Sequence, residues 1–283
     1  MSTETEGSGA EVVVGVDGTP ASRSALRWAL DRADRRGGAV LAVTVADTPP
    51  PPVGAGGAAA LPPQDLTAAA AAELEGMVTE EAAGRSAPVR TRVLTGDPVT
   101  GLAEQARSAR LLVLGNRGGE RLGGVVGSVG RSCGRQVDCP TARVPADGGR
   151  GAEPVLVVGM EGTEHSRAAL RWAVGEAGPA ERVEAVAVQY EPFPHGGGQA
   201  DPDFEEDAHR AVAGALEGVP APATVDVVAL RGAPSEVLLA RAVDRQALVL
   251  GNAQRPALGD AVVGSVMGPC LRHAVGPVVL VPG

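Results

Sequence analysis

The chain is one sequence pattern written twice, and no other feature constrains its fold as strongly. Moving Val12–Ala29 along by 144 residues onto Leu156–Ala173 gives 12 identities in 18 positions, among them Gly15/Gly159, Gly18/Gly162, Ser22/Ser166 and Arg27-Trp28/Arg171-Trp172. Moving Leu111–Asn116 by 136 onto Ala247–Asn252 gives five in six. A unit of about 140 residues is too long for a solenoid repeat and suits a whole domain. The expected organisation is therefore a disordered tail over 1–10, a domain over 11–146, a Gly-rich linker over 147–153 and a second domain over 154–283.

Each copy alternates short apolar runs with helical segments. In the first, Glu11–Val16 reads as a buried strand that ends in Asp17-Gly18. Thr19-Pro20-Ala21-Ser22 then starts a helix, with hydroxyl caps beside an early proline. Ala25, Leu26, Ala29, Leu30 and Ala33 form its apolar face, and Gly37-Gly38 ends it. Strands follow over Ala39–Ala46, Val89–Leu94, Leu111–Leu114 and Thr141–Val144. The helices between them run Asp65–Ala83, from Asp97-Pro98, and Ser128–Val137. Asp47–Gln64, with four consecutive prolines, reads as a long irregular loop. Such alternation means βαβ crossovers and a parallel sheet.

The chemistry that composition excludes is substantial. All cations are arginine, because the chain has no lysine. That removes P-loop lysines, Schiff bases and lysine general bases. A net charge of −9 argues against a nucleic-acid partner. No run approaches a membrane span, and Met1–Ala10 has no apolar signal core, so a cytoplasmic protein is expected. The three cysteines, Cys133, Cys139 and Cys270, form no CxxC pair. Cys133 and Cys270 are repeat equivalents and read as packing residues. The four histidines are far apart in sequence, which argues against a metal site. The acidic run Asp201–Asp207 reads as the solvated start of a helix.

Two loops in each copy carry ligand-binding chemistry. In an open parallel sheet, ligands sit beyond the carboxyl ends of the strands, where strand order reverses. Gly15-Val16-Asp17-Gly18 and Gly115-Asn116-Arg117-Gly118 both end strands there. Glycines allow close backbone approach, and Gly127-Ser128 begins a helix whose N–H groups favour an anion. Arg117 is a charged phosphate donor, and Asp17 accepts hydrogens from a nucleoside. A structural reading stands beside each of these. Gly115 and Gly118 also suit turns, Gly127-Ser128 a helix cap, and Asp17 a cap of the first helix. The loops match neither GxGxxG nor GxxxxGK[ST].

Taken together, Val-Gly-Val-Asp-Gly-Thr, Ser-x-x-Ala-Leu-x-Trp-Ala, Leu-Val-Leu-Gly-Asn-Arg-Gly and Gly-Ser-Val before a Cys-Pro strand resemble the universal stress protein family. Their recurrence resembles its tandem type. The resemblance covers nearly all of 11–283. It implies an α/β fold of two tandem open five-stranded parallel sheets flanked by helices, of the adenine nucleotide alpha hydrolase-like kind. The two would form a pseudo-dimer within one chain, paired through their fifth strands. It also implies bound ATP, with Mg2+ as the accompanying metal. Asp17, beside Gly15 and Val16, would contact the base, and Val45 would wall it. Leu114, Gly115, Arg117 and Gly118, then Gly127, Ser128 and Val129, would hold ribose and phosphates.

Both copies depart from the family's Gly-x-x-Gly, nine residues, Gly-Ser pattern. The first has eight residues between Gly118 and Gly127. The second keeps nine, but Gln254 replaces the second glycine, Ala253 replaces Arg117, Pro256 stiffens the loop and Glu161 replaces Asp17. A weaker second site built on Glu161, Gly251, Gly264, Ser265 and Val266 is therefore expected. No general base stands near the phosphates, so a regulatory nucleotide binder is expected rather than an efficient enzyme. The alternative is an interaction scaffold with degenerate sites. A fifth strand left exposed would also allow a homodimer.

Overall fold

The computed structural model describes residues 11–46, 63–116, 137–148, 152–190, 202–220, 223–252 and 266–283. The first half runs β1 (Val12–Gly15), α1 (Pro20–Arg36), β2 (Val40–Ala46), α2 (Pro63–Ala82), β3 (Val89–Thr95), α3 (Pro98–Ala106), β4 (Leu111–Asn116) and β5 (Thr141–Pro145). The second runs β6 (Glu153–Met160), α4 (Glu164–Glu176), β7 (Arg182–Tyr190), α5 (Phe204–Ala215), β8 (Thr224–Gly232), α6 (Pro234–Arg241), β9 (Arg245–Asn252), α7 (Met267–His273) and β10 (Val278–Pro282). The tail, residues 47–62 of the Pro-rich loop and the Ser128–Val137 helix, apart from Val137, lie outside the described residues, as does Cys133; Pro63 and Gln64, expected in the loop, instead open α2.

Each half is a parallel α/β sheet, but the two sheets are not separate. They form one ten-stranded sheet in the order β3-β2-β1-β4-β5-β10-β9-β6-β7-β8. Every pairing is parallel except β5 with β10, which is antiparallel. At that seam Ala142 faces Val279, and Thr141 and Arg143 face Leu280 and Val278. Ala142 and Val279 are repeat equivalents, so the seam lies on a pseudo-twofold axis. Thr141 and Arg143, unpromising for an exposed edge strand, are buried here because β5 is an inner strand.

Local signals in the sequence act as expected. Thr19 Oγ1 accepts a hydrogen bond from Ser22 N at 3.2 Å, Pro20 occupies the first turn, and Gly37 ends α1 at φ 70°. Asp97 caps α3 in the same way, its carboxylate accepting from Thr100 N at 2.7 Å. In β1, Val12 and Val14 face one core cluster and Val13 another, since both faces of a parallel sheet are covered. The face carrying α1, α2, α4 and α5 has a core continuous through both halves, whereas the opposite face has one cluster per half.

Buried charge also joins the two halves. Arg32 of α1 is 1% exposed. Its Nη1 donates to Glu181 Oε1 at 3.0 Å, and its Nη2 donates to the Glu176 carbonyl at 2.6 Å and to Glu176 Oε2 at 3.2 Å. Arg110 Nε lies 3.3 Å from Glu176 Oε1. Arg32 and Glu176 occupy equivalent positions of the two repeats, at the shift of 144 that aligns their helices. Divergence has placed opposite charges where a symmetric pair would place like ones. Trp28 Nε1 also donates across the seam, to Gln246 O at 3.4 Å.

Candidate functional site

In each half the strand order 3-2-1-4-5 reverses between the first and fourth strands, so β1/β4 and β6/β9 are the switch points. At the first, Gly15 is the register partner of Leu114, with Val16 buried beside them and Asp17 following. Val45 lies at the end of neighbouring β2, opposite Leu94 of β3. Gly15, Val16, Asp17, Val45, Leu114 and Gly115 thus share one edge of the sheet. Arg117, Gly118, Gly127, Ser128 and Val129 lie outside the described residues, as do Gly264 and Ser265.

The glycines at the strand ends have roles that spacing did not distinguish. A Cβ on Gly115 would stand 2.7 Å from the backbone of Ala21 and Ser22. A Cβ on Gly251 would come within 2.4 Å of the His165 backbone and 2.8 Å of Ser166 N. These glycines let the N-terminus of α1 or α4 approach the central strand. They are not turn glycines, since neither has positive φ. Gly18 and Gly162 do, at 75° and 78°, and they reverse the chain into the following helix.

Asp17 is exposed, and its Oδ1 accepts from Thr19 N at 3.2 Å and from Thr19 Oγ1 at 2.6 Å. Its carboxylate braces the residue that caps α1, while Thr19 itself is the cap. Replacing Thr19 with alanine removes the two Oγ1 bonds, to Asp17 Oδ1 and from Ser22 N, leaves the Thr19 N–H bond to Asp17, and is expected to destabilise the chain by about 1 kcal/mol in urea unfolding followed by circular dichroism. Asn116, expected in the binding loop, faces the seam: Nδ2 donates to Leu271 O at 3.2 Å and Oδ1 accepts from Arg143 Nη2 at 3.2 Å.

The second switch point opens into a cavity of about 660 Å³, within the range of small-molecule sites. Its floor is Gly159 and Met160 at the end of β6, Glu161 and Gly162 just after it, and Leu250 and Gly251 of β9. Val186, Ala187 and Val188 of β7 form one wall. Phe204, Asp207, Ala208 and Ala211 of α5 form another, and Pro234, Leu238, Val266 and Met267 complete it. Glu161, Gly251 and Val266, expected in the weaker site, all line this cavity. Val188 is the register equivalent of Val45, since Val43 pairs with Gly15 and Val186 with Gly159. The repeat could therefore have found Val188. It could not have found Phe204 or Asp207, because α5 shares no sequence pattern with α2. The acidic run does begin a helix, but Asp207 faces the cavity as well as pairing with Arg210.

The two sites differ at the glycine turn. A Cβ on Gly18 would meet Glu73 Oε1 of α2 at 2.6 Å, whereas Gly162 has nothing within 4 Å. Cys270 is buried beside the second site, and desolvation pushes its thiol up to about 11, so it holds no thiolate at neutral pH. Cys139 is raised to about 11 for the same reason. Among the described residues no group of three His, Cys, Asp or Glu side chains is placed to hold a metal ion. No described helix is long and apolar enough to cross a membrane.

The universal stress protein family model matches the chain twice, over residues 10–145 and 155–282. A universal stress protein of Mycobacterium tuberculosis is 28% identical over 293 residues, spanning 95% of this chain and 96% of its own. Another, from Mycobacterium bovis, is 30% identical over 185 residues, and there the chain spans only 58% of the relative's length. The crystal structure of a universal stress protein from Archaeoglobus fulgidus superposes with a TM-score of 0.68 at 15% identity, covering 96% of this chain and 98% of that one. That last likeness is one of fold.

Proposed function

The chain belongs to the universal stress protein family, and from that premise we propose that it is a regulatory module that binds an adenine nucleotide, ATP with Mg2+, chiefly in its first half. The observation that carries this reading is the arrangement at the β1/β4 switch point. Gly15 and Leu114 are register partners there, and Val16, Asp17 and Val45 share their edge of the sheet. Apolar Val45 would wall the base, and Asp17 would accept a hydrogen from base or ribose on exchanging its bond to Thr19. The sequence after β4 adds Arg117, Gly118, Gly127, Ser128 and Val129, which suit phosphate oxygens. Signalling would follow from altered conformation or partner binding, in a cytoplasmic setting, without efficient hydrolysis.

The test is calorimetry with ATP, alongside mass spectrometry of any nucleotide released on denaturing the purified protein. Gly118→Ala is expected to abolish ATP binding. Asp17→Ala is expected to weaken it about tenfold, the equivalent of one hydrogen bond to a charged group. Absence of adenine nucleotide binding under every condition overturns the proposal. The scaffold reading then takes its place. It is favoured by the Asp17 carboxylate, which braces Thr19 and so has a structural role without any ligand.

A further inference from the structure

We infer that the seam of the sheet is a one-way pairing surface: the seam face of each half fits the other half and excludes a second copy of itself. This holds whether or not the chain binds a ligand. Two units that share 12 of 18 residues over β1 and α1 can pair like with like between neighbouring chains as they fold, and such misassembly is a characteristic failure of repeat proteins. The β5–β10 ladder does not prevent it, because main-chain pairing about a pseudo-twofold axis is the same whichever halves meet. The side chains differ. Among the described residues, those that donate across the seam are Trp28, Arg32, Arg36 and Asn116, all of the first half. The acceptors are Glu176, Glu181 and main-chain carbonyls, all of the second. Arg35 and Arg110 bring further cations from the first half, 3.7 Å from Glu181 and 3.3 Å from Glu176.

Because Arg32 and Glu176 are repeat equivalents, a seam between two first halves would set one Arg32 against another, with Arg110 beside them. A seam between two second halves would set Glu176 against Glu176, with Glu181 beside them. The twin of Glu181 is Gly38, since Val40 and Val183 hold the same register, so a first half offers no carboxylate there to another Arg32. Arg32 and Glu181 side chains are 1% and 2% exposed, so neither water nor salt screens the repulsion. Like charges set against each other in an interface are strongly unfavourable, and they suppress the wrong partner more than the matched pair strengthens the right one. The indoles carry the same asymmetry: Trp28 Nε1 donates across the seam, whereas its twin Trp172 Nε1 is buried without a hydrogen-bond partner.

The experiment gives each half its twin's residue within the full chain. Arg32→Glu makes the seam resemble one between two second halves, and Glu176→Arg makes it resemble one between two first halves. Arg32→Gln with Glu176→Gln and Glu181→Gln is the uncharged control. Amide hydrogen exchange at Thr141, Ala142 and Arg143 of β5 and at Val278, Val279 and Leu280 of β10 reads seam opening. The uncharged variant is expected to exchange within about tenfold of the wild type, because neutral replacement of a buried ion pair costs little. Both like-charge variants are expected to exchange at least about a hundredfold faster than the uncharged one, or to be unfolded where it is folded. Equal exchange in the like-charge and uncharged variants overturns the inference. If both stay protected, the faces exclude nothing; if both open alike, the charges hold the seam without selecting what pairs there.

Discussion

Arg32→Ala is expected to lower the free energy of unfolding by about 3 kcal/mol, at the lower end of what removing one partner from a buried ion pair costs. The substitution removes the guanidinium that both Glu176 and Glu181 face, and those side chains are 7% and 2% exposed. Arg110 remains beside Glu176, and Arg35 Nε stays 3.7 Å from Glu181 Oε1, which keeps the loss from being larger. The loss is a cost of desolvated, unpaired carboxylate rather than of the contact itself. Adding Glu181→Gln to Arg32→Ala is accordingly expected to recover part of it. Urea unfolding of the single and double variants measures both. A loss under about 1 kcal/mol would show the pair to be as weak as a surface one.

The same cluster sets a pH dependence. Burial opposes ionisation of Glu181, but Arg32 and the Gly178 N–H, which donates to Oε2 at 2.7 Å, outweigh it and hold the carboxyl below its usual value of 4.5. A carboxylate lowered in the folded state contributes stability that is fully present above the unfolded value. That contribution disappears as pH falls through the folded one. Stability is therefore expected to decline on acidification below about pH 4.5 and to decline less steeply in Arg32→Ala. Thermal unfolding across pH 3–6 reads the difference in slope.

Gly251→Ala is expected to destabilise the chain by about 3 kcal/mol, the upper end of ordinary overpacking costs, because the added methyl meets backbone that no rotamer can move. The new Cβ would lie 2.5 Å from the His165 carbonyl oxygen and 2.8 Å from Ser166 N, so the N-terminus of α4 must lift off β9. Gly115→Ala should act alike on α1, where Ala21 and Ser22 are the obstacles. Gly162→Ala is the control. It meets open space, and only its left-handed backbone is strained, at about 1–2 kcal/mol. Calorimetric melting of the three variants gives the order. If Gly251→Ala melts with or above Gly162→Ala, close helix approach is not what the glycine provides. One consequence concerns ligand binding: a substitution at Gly115 or Gly251 disturbs the fold first, so lost binding there does not identify a ligand contact.

Much of the fold was legible because it rests on local rules. Thr19-Pro20, Asp97-Pro98 and Gly37 mark helix ends through hydrogen bonds or backbone angles that neighbouring residues satisfy. The valines of β1 announce a strand covered on both faces. The repeat supplied the number of units. The site was legible less evenly. Gly15, Val16, Asp17, Val45 and Leu114 come to one edge as expected, since strand ends in a parallel sheet must. The second-half cavity is lined by Glu161, Gly251 and Val266, the described residues of the weaker site that the sequence suggested. Its α5 wall was not suggested, because Phe204 and Asp207 enter by helix packing that leaves no pattern in a single sequence. Asn116 followed the binding motif in sequence and serves the seam in space.

By itself, then, the sequence determined two copies of an α/β unit, where their helices begin, and which strand ends lie at the switch points. These follow from periodicity and capping, which act over a few residues. Only the tertiary structure decided that the two sheets become one, that Arg32 meets Glu181 across 149 residues of chain, and that Phe204 and Asp207 line the second-half cavity. Such contacts depend on which surfaces desolvate together. That is a property of the packed molecule, and no local spacing encodes it.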